Sequence, residues 1–260
     1  MPMNSTGDSM IEAAMSGIEE ALRGAGVTET TLEPGEKAAL DRHGYLVMPD
    51  VVDADGLHRL RAAFERATDQ GQQAANVQQS GTRHVADLAN KDAAFDSVYT
   101  HPKVLAAVYH VLGCSFRVFQ LSGRDPLPGY GQQGLHTDWL PRAPSEPFSI
   151  VTALWLLDDF TPNNGATRLI PGSHRVPRPL PKSMMAPASR HPDQRLIIAK
   201  AGSVLVFNGH LWHSGTRNET NGPRRVLQCQ FLRRDLVRSA NTRPEVPERL
   251  APAARYILGV

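Results

Sequence analysis

From Phe116 onward the chain is a succession of short β-prone runs, each cut off by a turn, and this pattern restricts the fold more than any other feature. Phe116 to Ser122, Ser149 to Leu157, Thr167 to Ile170, Ser203 to Phe207 and Arg225 to Leu232 carry the β-branched, aromatic and alternating residues of strands. Asn163-Asn164-Gly165 and Pro171-Gly172 are turn sequences. Many short strands separated by turns argue for a mainly β jelly roll with flanking helices. Within Arg224 to Phe231 the alternation puts Arg224, Val226, Gln228 and Gln230 on one face and Arg225, Leu227, Cys229 and Phe231 on the other. A polar face of this kind fits a polar barrel interior, or else a solvated surface.

The N-terminal part reads as helical. Ile11, Met15, Ile18 and Leu22 share one helical face, which predicts a peripheral helix over Ile11 to Leu22, and Thr28 to Gly35 reads as a linker. Asp53 or Asp55 can cap a helix that turns Leu57, Leu60 and Phe64 to one side. Gln70 to Gly81 is polar, without periodicity, and reads as a loop. His101-Pro102 opens another helix, with Val104, Leu105, Val108, Val111 and Leu112 inward and Gly113 as its stop. There is no internal repeat. The expected organisation is a peripheral helix and linker over 1–35 and a single jelly-roll domain over 36–260.

Composition narrows the partners. A formal charge of +2 over 260 residues, without a basic stripe interleaved with aromatics, argues against nucleic acid. The two cysteines, Cys114 and Cys229, cannot form a disulfide framework and read as small buried residues. MPMNSTGDSM lacks the basic start and apolar run of a secretory leader, and no run approaches the roughly 20 residues needed to span a bilayer. The expectation is a cytoplasmic monomer or homodimer that acts on a small molecule, away from membranes.

The chemistry concentrates in His136-Thr137-Asp138 and the distant His213. On a strand, residues i and i+2 point the same way, so His136 and Asp138 share a direction. Two imidazoles and one carboxylate, binding one face of Fe(II) and leaving the other open, make up a known ligand set for O2 chemistry. His210 competes with His213 for the distal position. Leu-Trp-His and the eleven-residue offset to Arg224 favour His213, and Arg225 competes with Arg224.

In company, these motifs resemble the phytanoyl-CoA dioxygenase family of Fe(II)/2-oxoglutarate-dependent oxygenases. Leu40 to Val52 is similar to the family's opening strand, Gly134 to Trp139 to its metal-binding strand, Leu157 to Arg175 (LDDFTPNNGATRLIPGSHR) to its most diagnostic stretch, and Ala201 to Arg225 to its distal-histidine segment. The resemblance runs from about residue 38 to about 235. It implies a double-stranded β-helix of cupin-like type, with His136, Asp138 and His213 as iron ligands. It also implies 2-oxoglutarate and O2 as co-substrates, with Arg224 on the distal carboxylate, Thr167 supporting it, and Gln133 and Gln120 touching the co-substrate. Related iron halogenases carry a small residue in place of the aspartate. Asp138 fills that slot and favours hydroxylation or another oxidation.

Two insertions face the expected substrate side. Pro141 to Pro147 follows the metal segment, and Val176 to Gln194 is proline-rich and carries Met184 and Met185. Long loops on a rigid scaffold commonly carry specificity. Arg83, His84, Trp139, Arg142, Met184 and Gln228 are the candidate substrate contacts, and a secondary metabolite is the expected substrate class. Two other readings stay open: a non-catalytic jelly-roll protein that binds a small ligand, and an O2-dependent iron oxidase that does not use 2-oxoglutarate.

Overall fold

The computed structural model describes residues 17–72, 81–176, 179–237 and 250–260. Its strands, in chain order, are β1 (Tyr45–Met48), β2 (Thr82–Val85), β3 (Phe116–Pro126), β4 (Ile150–Leu156), β5 (Thr167–Leu169), β6 (Arg195–Leu196), β7 (Val204–Asn208), β8 (His213–Gly215) and β9 (Val226–Arg233). They form a large sheet in the order β1-β7-β4-β9-β3-β2 and a small one in the order β6-β5-β8. Every pairing is antiparallel. This is the jelly roll expected from the strand pattern.

Period-two alternation explains how one sheet serves two cores. Val151, Ala153 and Trp155 of β4, Val204 and Val206 of β7, and Leu227, Cys229 and Phe231 of β9 face the main apolar core. Leu154 and Leu156, Leu205 and Phe207, and Val226 face the opposite way, into the space between the sheets, where Phe160, Leu169, Ile197 and Leu211 meet them. All seven residues of β4 are buried and all but Thr152 are apolar, so this strand is covered on both faces.

Helices close the outer face. Residues 17–24 form α1, whose Ile18, Ala21 and Leu22 join the main core. The helical reading that starts at Ile11 begins outside the described residues. Next come α2 (Pro34–His43), α3 (Ala54–Gln72), α4 (Asp96–Thr100), α5 (Pro102–Leu112) and α6 (Pro252–Leu258). Asp53 Oδ1 accepts from Gly56 N at 2.7 Å and caps α3, and Gly113 ends α5 at φ 61°. Leu60 and Phe64 of α3 are buried as read from sequence. A Cβ on Gly123 would stand 2.6 Å from the Phe64 ring, so a glycine is what lets α3 lie this close to β3.

Several elements differ from the sequence reading. Leu40 to His43 belongs to α2, and the strand starts only after Gly44, which ends that helix in the left-handed region at φ 80°. Leu40 is the one buried residue of α2, so no apolar stripe announced the helix. The edge strand β2 and the two- and three-residue strands β6 and β8 are too short to be read from periodicity. Gly134 to Trp139 is not a strand. Only His136 pairs, in a single bridge to His213, after which the chain turns away. Among the described residues no helix is long and apolar enough to cross a membrane.

Candidate active site

The isolated bridge sets the geometry. His136 N donates to His213 O at 2.9 Å and His213 N to His136 O at 3.0 Å, and two residues later Asp138 N donates to Gly209 O at 2.8 Å. The metal segment is thus docked twice on the turn that leads into β8. The ring centroids of His136 and His213 lie 4.5 Å apart, and His213 Nε2 is 3.6 Å from Asp138 Oδ1. One ligand atom from each of the three residues falls within 4.8 Å of the others.

Neighbouring groups fix which atoms face inward. His136 Nδ1 lies 3.0 Å from Gly134 O, and His213 Nδ1 lies 2.8 Å from Leu211 O. A carbonyl only accepts, so each Nδ1 carries the proton and each Nε2 keeps its lone pair for a metal. Thr152 Oγ1 donates to Asp138 Oδ2 at 2.5 Å, which leaves Oδ1 facing the imidazoles. Burial alone would raise the Asp138 carboxyl. Attraction to His213 and His136 and the hydrogen bond from Thr152 outweigh burial and bring it down to about 2. Burial opposes the charged form of His213 too, but Asp138 outweighs this and raises it, whereas burial lowers His136. The donor set, its tautomers and its charge suit a divalent iron. Replacing Thr152 by valine is expected to free the carboxylate to rotate and to lower Mn(II) affinity about 10–100-fold, as removal of such an outer partner commonly does. Calorimetric titration of the apo-protein measures this.

The triad opens into a cavity of about 440 Å³ between the sheets. Arg224 is buried in its wall, 5.1 Å from the centre of the Phe160 ring, and its Nε has no hydrogen-bond partner. Desolvation pulls this guanidinium down to about 10. Thr167, Gln133, His84 and Gln228 also line the cavity. Gln133 is held from behind, its N donating to Gly215 O at 3.0 Å and its Oε1 accepting from Gly215 N at 3.3 Å.

Other candidates stand elsewhere. Gln120 is paired opposite Gln230, outside the cavity lining. Arg83 turns to the rear and grips Asp125 at 2.7 Å and Glu65 at 2.7 Å. Trp139 packs edge-on against Phe119 at 6.2 Å. Arg142 covers the Phe148 ring at 4.3 Å and donates to the carbonyls of Ala143, Pro144 and Glu146. Met184 packs against the small apolar cluster of Leu135, Ile170, Leu180 and Trp212. Both open alternatives resolve geometrically. His210 sits away from the triad with Nε2 accepting from Ser149 N at 3.2 Å, and burial pushes it down to about 4. Arg225 faces outward to Asp158 at 2.8 Å and Glu65 at 2.9 Å.

Three residues escaped the sequence reading. Thr152 orients Asp138. Arg124 lines the cavity. It lies four residues beyond Gln120 on β3, so continuing the period past the assumed strand end at Ser122 would have reached it. Arg168 of β5 ties the proline-rich insertion down, donating to Ser189 O at 2.5 Å, Gln133 O at 3.2 Å and Ser214 Oγ at 2.7 Å. The insertion also presses on the metal segment, since a Cβ on Gly134 would stand 1.7 Å from Met185 O.

Known proteins are similar to this chain in sequence or in fold. The chain is 30% identical over 239 residues to Dioxygenase trt7 of Aspergillus terreus, covering 84% of this chain and 80% of that protein. It is 32% identical over 149 residues to the Fe(II)/2-oxoglutarate-dependent dioxygenase nvfF of Aspergillus novofumigatus, covering 54% of this chain and 47% of that one. Its fold is similar to that of HygX from Streptomyces hygroscopicus, solved with nickel, 2-oxoglutarate and hygromycin B bound. The TM-score is 0.68 at 22% identity, over 78% of this chain and 88% of that one. Residues 40–226, which reach the first residue of β9, match the family model described as phytanoyl-CoA dioxygenase (PhyH). The chain therefore belongs to the phytanoyl-CoA dioxygenase family of Fe(II)/2-oxoglutarate-dependent oxygenases.

Proposed function

We propose that this protein hydroxylates an unactivated C–H bond of a small molecule, a secondary metabolite, with conversion of 2-oxoglutarate and O2 into succinate and CO2. One oxygen atom goes to the product alcohol and the other to succinate. His136, Asp138 and His213 hold Fe(II), which supplies the open coordination positions where O2 is activated. The observation that carries this reading is the joint presence, in one cavity, of three converging ligand atoms and a buried arginine whose Nε has no hydrogen-bond partner.

Each remaining role follows from chemistry. Arg224 receives the distal carboxylate of 2-oxoglutarate, because a planar guanidinium binds a carboxylate through two parallel charge-assisted hydrogen bonds. Thr167 adds a hydroxyl donor beside it, and Gln133 lies within the same wall. Leu154, Phe207 and Val226 line the cavity with apolar surface, exclude water and strengthen every polar contact inside. His84 and Gln228 face the space left for the organic substrate. A cavity of about 440 Å³ lies within the ordinary range for small-molecule sites. The hygromycin B bound to HygX supports a small-molecule substrate.

The test is an anaerobic titration of the apo-protein with Fe(II) and then 2-oxoglutarate, read by the weak visible charge-transfer band of the chelate. The band is expected for the wild type and not for His136→Ala. Iron binding without the band would favour an oxidase that does not use 2-oxoglutarate. Absence of iron binding would favour a non-catalytic ligand-binding protein. Succinate release then screens substrates.

A further inference from the structure

We propose that the organic substrate carries a carboxylate, and that Arg124 receives it. This deepens the functional reading above and rests on it. The inner face of the large sheet brings the relevant groups into rows. In the β2–β3 and β3–β9 registers, His84 pairs with Arg124, Arg124 with Val226, and Ser122 with Gln228. Side chains directly opposite on antiparallel strands have Cβ atoms about 4.5–5.5 Å apart. Arg124 therefore stands between His84 on one side and β9 on the other, and its diagonal neighbours there include Gln228. Arg124, His84 and Gln228 all line the cavity that holds the triad.

Arg124 is a cation without an assigned counter-charge. Among the described residues its guanidinium forms no ion pair, and its Nε is buried with no hydrogen-bond partner. The one opposite charge that reaches it is Asp138, an iron ligand in the proposed site. Its neighbour His84 is an imidazole, neutral or cationic, and supplies no negative charge. The acids behind the sheet are taken as well. Asp125, Glu65 and Asp158 are matched by Arg83, Arg225 and Arg61.

Charge accounting completes the argument. The charged residues lining the cavity are Asp138, Arg124 and Arg224. Fe(II), Asp138, the 2-oxoglutarate dianion and Arg224 together are neutral. Arg124 is the one positive charge left over, so the loaded site lacks one negative charge. A carboxylate monoanion supplies that, whereas a phosphate monoester brings about −1.5 to −2 and would overshoot. Holding a half-buried guanidinium with its Nε buried and unpartnered is unfavourable in the free protein, and this penalty is relieved when an anion arrives. The consequence is selectivity for acids over their esters or amides.

Acetate probes the subsite without knowledge of the full substrate, and acetamide is its neutral counterpart. Each is added to protein saturated with Mn(II) and 2-oxoglutarate, and paramagnetic broadening of its methyl protons is measured for the wild type, Arg124→Leu and Arg124→Lys. Broadening of acetate, but not of acetamide, is expected in the wild type. It should fall at least about tenfold in Arg124→Leu, the loss typical for one charge-assisted contact, and recover in part in Arg124→Lys. The 2-oxoglutarate affinity of Arg124→Leu should stay within about threefold of wild type, well inside one such contact.

Equal acetate broadening in Arg124→Leu would overturn the proposal. So would a large loss of 2-oxoglutarate affinity in that variant, which would assign Arg124 to the co-substrate and leave the oxygenase reading intact. Failure of the wild type to bind Mn(II) or 2-oxoglutarate would defeat the oxygenase reading itself. Thermal unfolding of the apo-protein provides a second check. Removing a half-buried charge that forms no ion pair should leave the Tm of Arg124→Leu unchanged or raised, and a drop would mark Arg124 as structural and overturn the subsite.

Discussion

Exchange of Arg224 for leucine is expected to weaken 2-oxoglutarate binding roughly 30-fold or more, as removal of one side of a buried charge pair costs about 2–5 kcal/mol. Metal affinity should be unchanged, because Arg224 is not among the three converging ligands. Folding should survive, since Arg224 forms no ion pair among the described residues and its Nε is already unpartnered. The anaerobic titration reads both quantities on one sample. Retention of full co-substrate affinity would remove Arg224 from this role. Arg225→Leu is the informative contrast: it breaks pairs with Asp158 and Glu65 behind the sheet, so it should lower thermal stability far more than co-substrate affinity.

In chloride-free buffer, replacing Asp138 by alanine is expected to weaken Fe(II) binding severely and with it the charge-transfer band. The remaining imidazoles, 4.5 Å apart between ring centres, offer two neutral nitrogens and no charge. In the wild type the carboxyl is held near 2, so it is ionised across the whole neutral range. Its folded-state value lies below the unfolded one. The stability this provides is therefore fully present above about pH 4 and is lost only as pH falls toward the folded value. Differential scanning of metal-free and Mn(II)-loaded protein separates the two roles. The wild type should gain Tm on loading, because the metal binds the native state alone. Asp138→Ala should show no gain, and a gain equal to that of the wild type would exclude Asp138 as a ligand.

Much of this was legible because its causes are local. The longer strands β3, β4, β7 and β9 announced themselves through β-branched and aromatic runs, and β9 gave away its two faces by alternation alone, which separated Arg224 from Arg225. The convergence of His136, Asp138 and His213 was readable from residue type and order, yet the reason offered for it was wrong in detail. His136 and Asp138 do not lie on a strand. They meet because backbone hydrogen bonds to His213 and Gly209 dock the segment twice. Such non-local bonds leave no trace in a two-residue spacing. Thr152 was invisible for the same cause, being fourteen residues from the carboxylate it orients. Arg83 and Trp139 looked exposed and available from sequence, but they are occupied by Asp125, Glu65 and Phe119, partners that only the tertiary fold brings near.

The two adjacent arginines that enter β9 are chemically identical, and only their phase along the strand gives them different work. Asp125 Oδ1 accepts from Arg224 N at 2.8 Å and Asp158 Oδ2 accepts from Arg225 N at 2.8 Å, one carboxylate for each successive amide. A slip of one residue would exchange every side chain of the strand between its faces. These two acids act as a detent that denies the strand that freedom. Transplanting this pocket onto another jelly roll would therefore require carrying Asp125 and Asp158 along with the arginines, although neither acid lines the cavity.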